Sequence, residues 1–336
     1  MSVITDQKPE DQPPGLTSRK RRRVADPAFR WFVTITGTSV FIILAAMVIR
    51  TTTEAWPIFQ HEGFFGFLTG DRWVSGASRS GDPETFTGVY GAWPFIYGTL
   101  VTALIAIVIA LPLALCIAFY INQLAPRRLR NPLSYTVEML AAVPSIVFGM
   151  WGLFWLVPNV LRPFFEWLES WAGGFFLFEG PVFGPGYLAA GIVLAIMILP
   201  IITAIVREVI AVNPADQQHA AYALGATRFE VMRKVILPSS FSGIVGATML
   251  GLGRAIGETI AVMMLIGSTK SWDSSLLQRG DSMAALIASL FKEATPEGVR
   301  GLMAIGVALF LFTMVINVAA RLLVWRIGRV AGDAAV

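Results

Sequence analysis

Residues 213–238 read NPADQQHAAYALGATRFEVMRKVILP, and this stretch decides how the rest of the chain is arranged. Pro214 suits the opening turn of a helix, where its missing N–H leaves no hydrogen bond unmade. Asp216 then falls near the positive end of that helix. Gly225 is the residue type that closes a helix in a left-handed conformation. A second short helix is expected over about 227–235, running to Pro238. The segment therefore reads as a rigid knob, two short helices bent about a glycine. The chain is strongly apolar on both sides of it, over about 187–206 and about 242–267.

Four more apolar runs appear further out, over about 31–50, 95–122, 134–157 and 301–325. Each of the six is close to the roughly 20 residues that carry a helix across a bilayer. Composition agrees: 55% of the 336 residues are hydrophobic and only 14% charged, against about 25% charged in ordinary soluble domains. Mean hydropathy is +0.65. No period-two alternation marks a β-barrel, so the expected fold is an all-α membrane protein with six transmembrane helices. Pro112, Pro144 and Pro200 fall inside these runs, where neighbouring helices tolerate a kink. Cys116 is the single cysteine and excludes an intrachain disulfide. With two histidines, His61 and His219, far apart, a histidine-based metal site is not expected.

Lysine and arginine fix the expected orientation, because they stay on the cytoplasmic side. With both termini inside, 17 of the 26 basic residues lie inside and 8 outside. Arg127, Arg128 and Arg130 in the short 123–133 loop decide the matter. The cluster from Arg19 to Arg23 reads as a topology anchor, not a nucleic-acid site. Polar, proline-bearing residues precede it, so no cleavable signal peptide is expected. The expected organisation is a disordered basic cytoplasmic tail at 1–28 and the first span with an outer segment at 29–94. A core membrane domain follows at 95–325, carrying the knob at 214–238, then a cytoplasmic tail at 326–336. Outer segments 51–94, 158–186 and 268–300 remain. The second is rich in aromatics, among them Trp167 and Trp171, which suits the membrane–water interface.

One cation lies within a span. Residues 251–259 read GLGRAIGET, which places Arg254 at the midpoint of the 242–267 run. A buried arginine there costs about 2.5–3.5 kcal/mol on insertion scales, so it must face protein or water. Glu258, one turn on, is expected to neutralise it. Gly253 and Gly257 have the spacing that lets a second helix approach closely. Two readings stand: a structural ion pair, or a guanidinium fork that receives an oxyanion such as phosphate, sulfate or molybdate. Thr259 beside the pair offers a hydroxyl to a pore; Ser145 after Pro144 in the third span either does the same or stabilises a kink by local hydrogen bonding. Glu138, near the inner end of the third span, is expected to snorkel or to pair with the Arg127–Arg130 loop.

The knob carries a resemblance. Ala220, Ala221, Gly225, Val235, Leu237 and Pro238 fall at the spacing of the signature loop of binding-protein-dependent ABC importer permeases. That resemblance implies a type I, MetI-like permease fold. It also makes residues 214–238 a coupling element that seats in an ATPase, with His219, Ala220, Ala221, Gly225 and Pro238 at the contact. The family usually has Glu where this chain has His219. The strings 221–227, 251–262 and 143–149 resemble the phosphate-specific permease family PstC, over about 30–325. This implies phosphate import by alternating access, with Arg254 and Glu258 in the transport path. It further implies a sister permease PstA, two copies of the ATPase PstB and an outer phosphate-binding protein PstS. No Walker A string occurs, so ATP and Mg²⁺ are expected in the ATPase and no cofactor in this chain. The rivals are a permease for another oxyanion and, further off, a membrane-embedded enzyme, for which no catalytic motif is found.

Overall fold

A computed structural model describes residues 22–80 and 82–333. Packing divides the chain at Arg50–Thr51 into two units. The first is the leading part of helix α1 (Arg22–Glu62), whose side chains from Pro27 to Arg50 are almost all exposed. The helix already includes residues 22–28, which were expected to be tail; residues 1–21, with most of the basic cluster, lie outside the described residues.

The second unit begins with the end of α1, then α2 (Phe64–Thr69) and a two-strand ladder, β1 (Trp73–Val74) against β2 (Val89–Tyr90). Helices α3 (Trp93–Phe119), α4 (Arg127–Ala141), α5 (Ser145–Trp151) and α6 (Arg162–Ala172) follow. A π-helical stretch, Gly152–Leu161, joins α5 to α6. Next come α7 (Tyr187–Ala211), α8 (Ala215–Ala223), α9 (Arg228–Val231), α10 (Leu237–Ile256), α11 (Ile260–Leu265), α12 (Met283–Leu290) and α13 (Pro296–Asp333). Among the described residues, six stretches are long and apolar enough to cross a membrane: 27–62, 93–124, 145–172, 187–211, 228–256 and 296–322. Most of the expected 326–336 tail is the last two turns of α13.

Two expected spans differ in form. The third does not run from 134 to 157 as one helix. It stops at Ala141 and restarts at Ser145, with Pro144 extended between them at φ −59°, ψ 138°. Proline disfavours helical geometry in the residue before it, so a break replaces the expected kink. Pro112 and Pro200, by contrast, sit inside α3 and α7. The fifth span starts earlier and ends earlier than expected. It is helical from Arg228, widens into a π turn at Met232–Ile236, and continues as α10 to Ile256. The ring of Pro238 would clash with the carbonyl of Lys234 in a regular α-helix, and the wider turn directly before it relieves that clash. Pro238 therefore lies in the first turn of α10 and does not end the helix.

Helix α7 is the hub. Ala103, Ala106, Ala110, Ala114 and Ala118 form one buried stripe of α3 at helical spacing, and α3 packs along α7. Small side chains let backbones approach, which drives association where lipid is as apolar as the protein. Gly191 completes this seam, since a Cβ there would meet Ile105 Cγ2 at 2.6 Å. On another side, α10 lies along α7: a Cβ at Gly243 would meet Val209, and one at Gly251 would meet Ile202 at 2.7 Å.

At the end of the bundle away from α8, a cap of residues 72–90 is held by one carboxylate. Glu297, in the first turn of α13, is 0% exposed. Its Oε2 accepts from the Ser78 N–H at 2.8 Å, and its Oε1 from the Gly88 N–H at 2.8 Å and the Thr87 N–H at 3.2 Å. Thr295 Oγ1 donates to the Gly76 carbonyl at 2.6 Å, and the Gly76 N–H donates to the Tyr90 hydroxyl at 3.1 Å. Burial is the main cause that raises the Tyr90 hydroxyl to about 12.

Candidate functional site

The register of α10 against α7 sets the depth of Arg254. Gly243 lies at Val209, and Gly251 at Ile202 and Ile198. Continuing that antiparallel register puts Arg254 beside the turn before Ile198, near the centre of the 25-residue α7. Arg254 is thus level with the middle of α7, but its setting within its own helix differs from the expected one. Arg254 is not mid-helix; it occupies the last turn of α10, two residues before the end at Ile256. There its charge complements the partial negative charge of the helix C-terminus.

The expected pair with Glu258 does not form. Among the described residues Arg254 makes no ion pair, and its side chain is exposed within this chain. The break explains this. With helical geometry lost at Gly257–Thr259, residues 254 and 258 no longer stack one turn apart. Glu258 is 8% exposed and turns to the next helix, where its Oε1 accepts from the Ala261 N–H at 3.4 Å. Thr259 donates to the Gly257 carbonyl at 3.2 Å. Glycines at 253 and 257 weaken the helix here, and the carboxylate takes one of the donors at the start of α11. The expected close approach at Gly253 and Gly257 is absent within this chain: a Cβ at Gly253 meets nothing within 4 Å, and one at Gly257 meets only its own helix end. Gly243 and Gly251 supply the close contact.

Ser145 lies at the neighbouring break. It is the first residue of α5, half-buried, and its hydroxyl has no hydrogen bond among the described residues. Helix α5 packs beside α11, with a Cβ at Gly149 falling 3.0 Å from the Ala261 Cα. Gly149 is one turn into α5, and Ala261 is near the start of α11, so the two helix starts lie at similar depth. Both start with amide groups that lack intrahelical partners. The site is thus one exposed guanidinium, two helix starts and the Ser145 and Thr259 hydroxyls, with one buried carboxylate. Helix starts favour anionic groups, and the guanidinium fork binds oxyanions at two points. No hydrogen bond or ion pair joins Arg254, Glu258, Thr259 and Ser145 to one another.

The second candidate element is the knob. Pro214 is the cap of α8, one residue before its expected place, and Asp216 is in the first turn. Gly225 has φ +85°, the left-handed turn that was expected. Leu224 is 90% exposed, and Phe229 and Tyr222 are exposed too. His219 and Ala220 are exposed and Ala221 half-buried. An exposed apolar group on a bent, polar-flanked element is the form of a protein docking surface.

Several residues that hold these elements were not foreseen. The start of α9 is a capping box: the Glu230 N–H donates to Thr227 Oγ1 at 3.3 Å, and the Thr227 N–H donates to Glu230 Oε2 at 3.0 Å. Its T-x-x-E pattern is readable in the sequence. Asn213 clamps the knob to α10: Ser239 Oγ donates to Asn213 Oδ1 at 2.7 Å, and Asn213 Nδ2 donates to Ser240 Oγ at 2.6 Å. Glu138 does not pair with the 127–130 loop. It accepts from Arg207 of α7 at 2.8 Å, while Arg130 donates to the Asn122 carbonyl at 2.7 Å.

Comparison with known proteins agrees with this architecture. Residues 110–329 match the family model of binding-protein-dependent transport system inner membrane components. The chain is 40% identical over 320 residues to a phosphate transport system permease protein PstC of Pasteurella multocida, covering 94% of this chain and 97% of that one. It is 46% identical over 248 residues to PstC of Xylella fastidiosa, covering 73% and 76%, and 36% identical over 335 residues to PstC of Mesorhizobium japonicum, covering 97% and 98%. A solved bacterial ABC transporter involved in alginate import superposes with TM-score 0.56 at 17% identity, over 91% of this chain and 99% of that one. The fold is that of a type I importer permease.

Proposed function

Because this chain belongs to the PstC family of binding-protein-dependent transport system inner membrane components, we infer that it is a permease subunit of an ATP-driven phosphate importer, moving inorganic phosphate across the cytoplasmic membrane by alternating access. The single observation that carries the mechanism is Arg254, exposed and without an ion-pair partner among the described residues, level with the centre of α7 and next to the helix break at 257–259. A guanidinium at that depth needs a partner that this chain does not supply. A phosphate passing along the exposed face of α10 meets the fork and the starts of α5 and α11, with Ser145 as a hydroxyl donor and Thr259 as a second once it rotates away from the Gly257 carbonyl. Glu258, held by the Ala261 N–H, limits how tightly an anion is retained, so that it can leave. Phosphate is preferred over sulfate and molybdate because the relatives are named for phosphate.

In this reading both termini and the knob at 214–238 face the cytoplasm, as the basic residues require. The partners are a sister permease PstA, two copies of the ATPase PstB and the outer binding protein PstS. ATP and Mg²⁺ bind in the ATPase. Leu224 and Phe229 seat the knob, and Gly225 sets its bend. Closure of the ATPases then moves the knob and, through Asn213 and Ser239, the foot of α10.

The test is phosphate uptake by proteoliposomes of the whole complex carrying Arg254→Gln or Arg254→Lys. Uptake is expected to vanish with Gln and to fall partially with Lys, while subunits co-purify as in wild type. Undiminished uptake by the Gln variant refutes the role of Arg254. Competition by sulfate or molybdate equal to that by unlabelled phosphate refutes the substrate.

A further inference from the structure

A cleft of about 520 Å³ opens between α10 and α13 at the knob end of the bundle. One wall is apolar or small: Ser242, Gly246 and Met249 of α10 line it. The other carries Asn317, Arg321 and Trp325, four residues apart on α13. Residues at that spacing share a helix face. Asn317 and Arg321 are exposed in this chain, and neither makes a hydrogen bond or ion pair among the described residues.

This cleft is separate from the Arg254 site. At 100° per residue, Arg254 lies about 130° around α10 from the centre of the cleft wall. Depth also differs. Arg321 lies 20 residues beyond Gly301, where the apolar part of α13 begins past the cap contacts of Glu297 and Arg300, or about 30 Å along the helix. That rise matches the roughly 30 Å of a hydrocarbon core, so Arg321 and Trp325 reach the headgroup level on the knob face. Tryptophan favours that level, and basic pockets between helices on the cytoplasmic side hold lipid phosphates. Above Arg321 the cleft has room for a chain: a Cβ built at Gly246 meets nothing within 4 Å.

We propose that this cleft binds the phosphate group of an anionic phospholipid from the knob-side leaflet. Arg321 grips the phosphate, Asn317 donates to one of its oxygens or to an ester carbonyl, and an acyl chain lies against Gly246 and Met249. The placement in the cytoplasmic leaflet rests on the orientation proposed above; the binding itself does not. Charge and shape both select this occupant: an unpaired cation at headgroup level, continuous with an apolar trough at acyl depth.

The test uses the full permease complex in nanodiscs of phosphatidylcholine doped with phosphatidylglycerol, with retained lipid counted by native mass spectrometry after extraction into detergent. Wild type is expected to retain phosphatidylglycerol, and Arg321→Gln to retain about fivefold less, the factor for one basic contact at the surface. Gly246→Leu fills the trough without touching the charge and is expected to lower retention as well. A parallel arm offers labelled inorganic phosphate. Phosphate held in an Arg321-dependent way, with no lipid retained, overturns the lipid assignment in favour of a free oxyanion. Equal lipid retention by both variants and wild type overturns the site, as does cross-linking that places a helix of a second permease in the cleft. Failure of the Arg254 variants to lose uptake leaves this result untouched, since the two readouts are independent.

Discussion

Replacing Glu297 with alanine should loosen the cap at residues 72–90 while leaving the α3–α7 seam intact. The structure sets the size of the effect. Three backbone N–H groups, of Ser78, Thr87 and Gly88, end on this one carboxylate, which is 0% exposed. The Gly88 bond is buried and the Ser78 and Thr87 bonds are partly buried. An orphaned buried donor costs about 1–3 kcal/mol and one that water can reach costs less, so the loss is about 3 kcal/mol. A loss of this size raises the population of the opened cap by about a hundredfold. Glu297→Gln is the informative control. It keeps one oxygen for Thr87 and Gly88 but turns an amide NH₂ toward the partly buried Ser78 N–H, so about 1 kcal/mol is lost. Hydrogen exchange of the peptide covering 75–90, compared with one covering 190–205 in α7, reads this directly. Exchange should rise in the order wild type, Gln, Ala at 75–90 and stay level in α7. Unchanged protection at 75–90 in the alanine variant refutes the idea that Glu297 holds the cap.

Three further outcomes are expected. Burial pushes the Asp281 carboxyl up from 3.8 to about 7, against the smaller lowering influences of the Ser282 N–H and Lys270. The folded chain then holds a proton that the unfolded chain has released, so stability falls as pH rises from about 4 to about 7 and levels off above it. Asp281→Asn should flatten that slope in thermal melts of the detergent-solubilised protein, and an unaltered slope counts against it. Gly225→Val forces a β-branched residue into φ +85°, a strain of about 1–2 kcal/mol; transport-linked ATP hydrolysis by the complex should drop while the bundle's melting temperature stays within a few degrees, and full coupling would contradict the knob's role. Gly191→Leu drives side-chain atoms into Ile105 across the tightest part of the α3–α7 seam and should destabilise the bundle by about 1–3 kcal/mol, seen as a lower melting temperature; no change would mean the helices separate freely there.

What the sequence made legible were features decided by neighbours along the chain. Gly225 bends the knob as read, because a left-handed turn is a property of glycine itself. The number of spans was readable because apolar runs of this length have one stable home. The breaks at 142–144 and 257–259 were not: Gly257, Glu258 and Thr259 interrupt the apolar run, but a charged residue one turn from Arg254 reads as an intrahelical ion pair as readily as a helix end. Pro144 was a fair signal, but it reads equally as a kink or a stop. The fate of Glu258 depended on where α10 ends, so the i, i+4 rule that paired it with Arg254 failed once the helix did. Glu138 finds Arg207 across 69 positions, and Glu297 finds the Ser78 amide across 219. Such pairings are set by how helices meet, and no local pattern encodes them.

The π turn that accommodates Pro238 has a mechanical consequence. Because helix is unbroken from Arg228 to Ile256, the knob and the guanidinium are the two ends of one stiff lever, about 39 Å apart by helical rise. A tilt of only about 5° at its foot displaces the far end by about 3 Å over that length, comparable to a hydrogen-bond distance. A flexible joint at Pro238 would have absorbed that motion; a continuous rod delivers it to Arg254 in full.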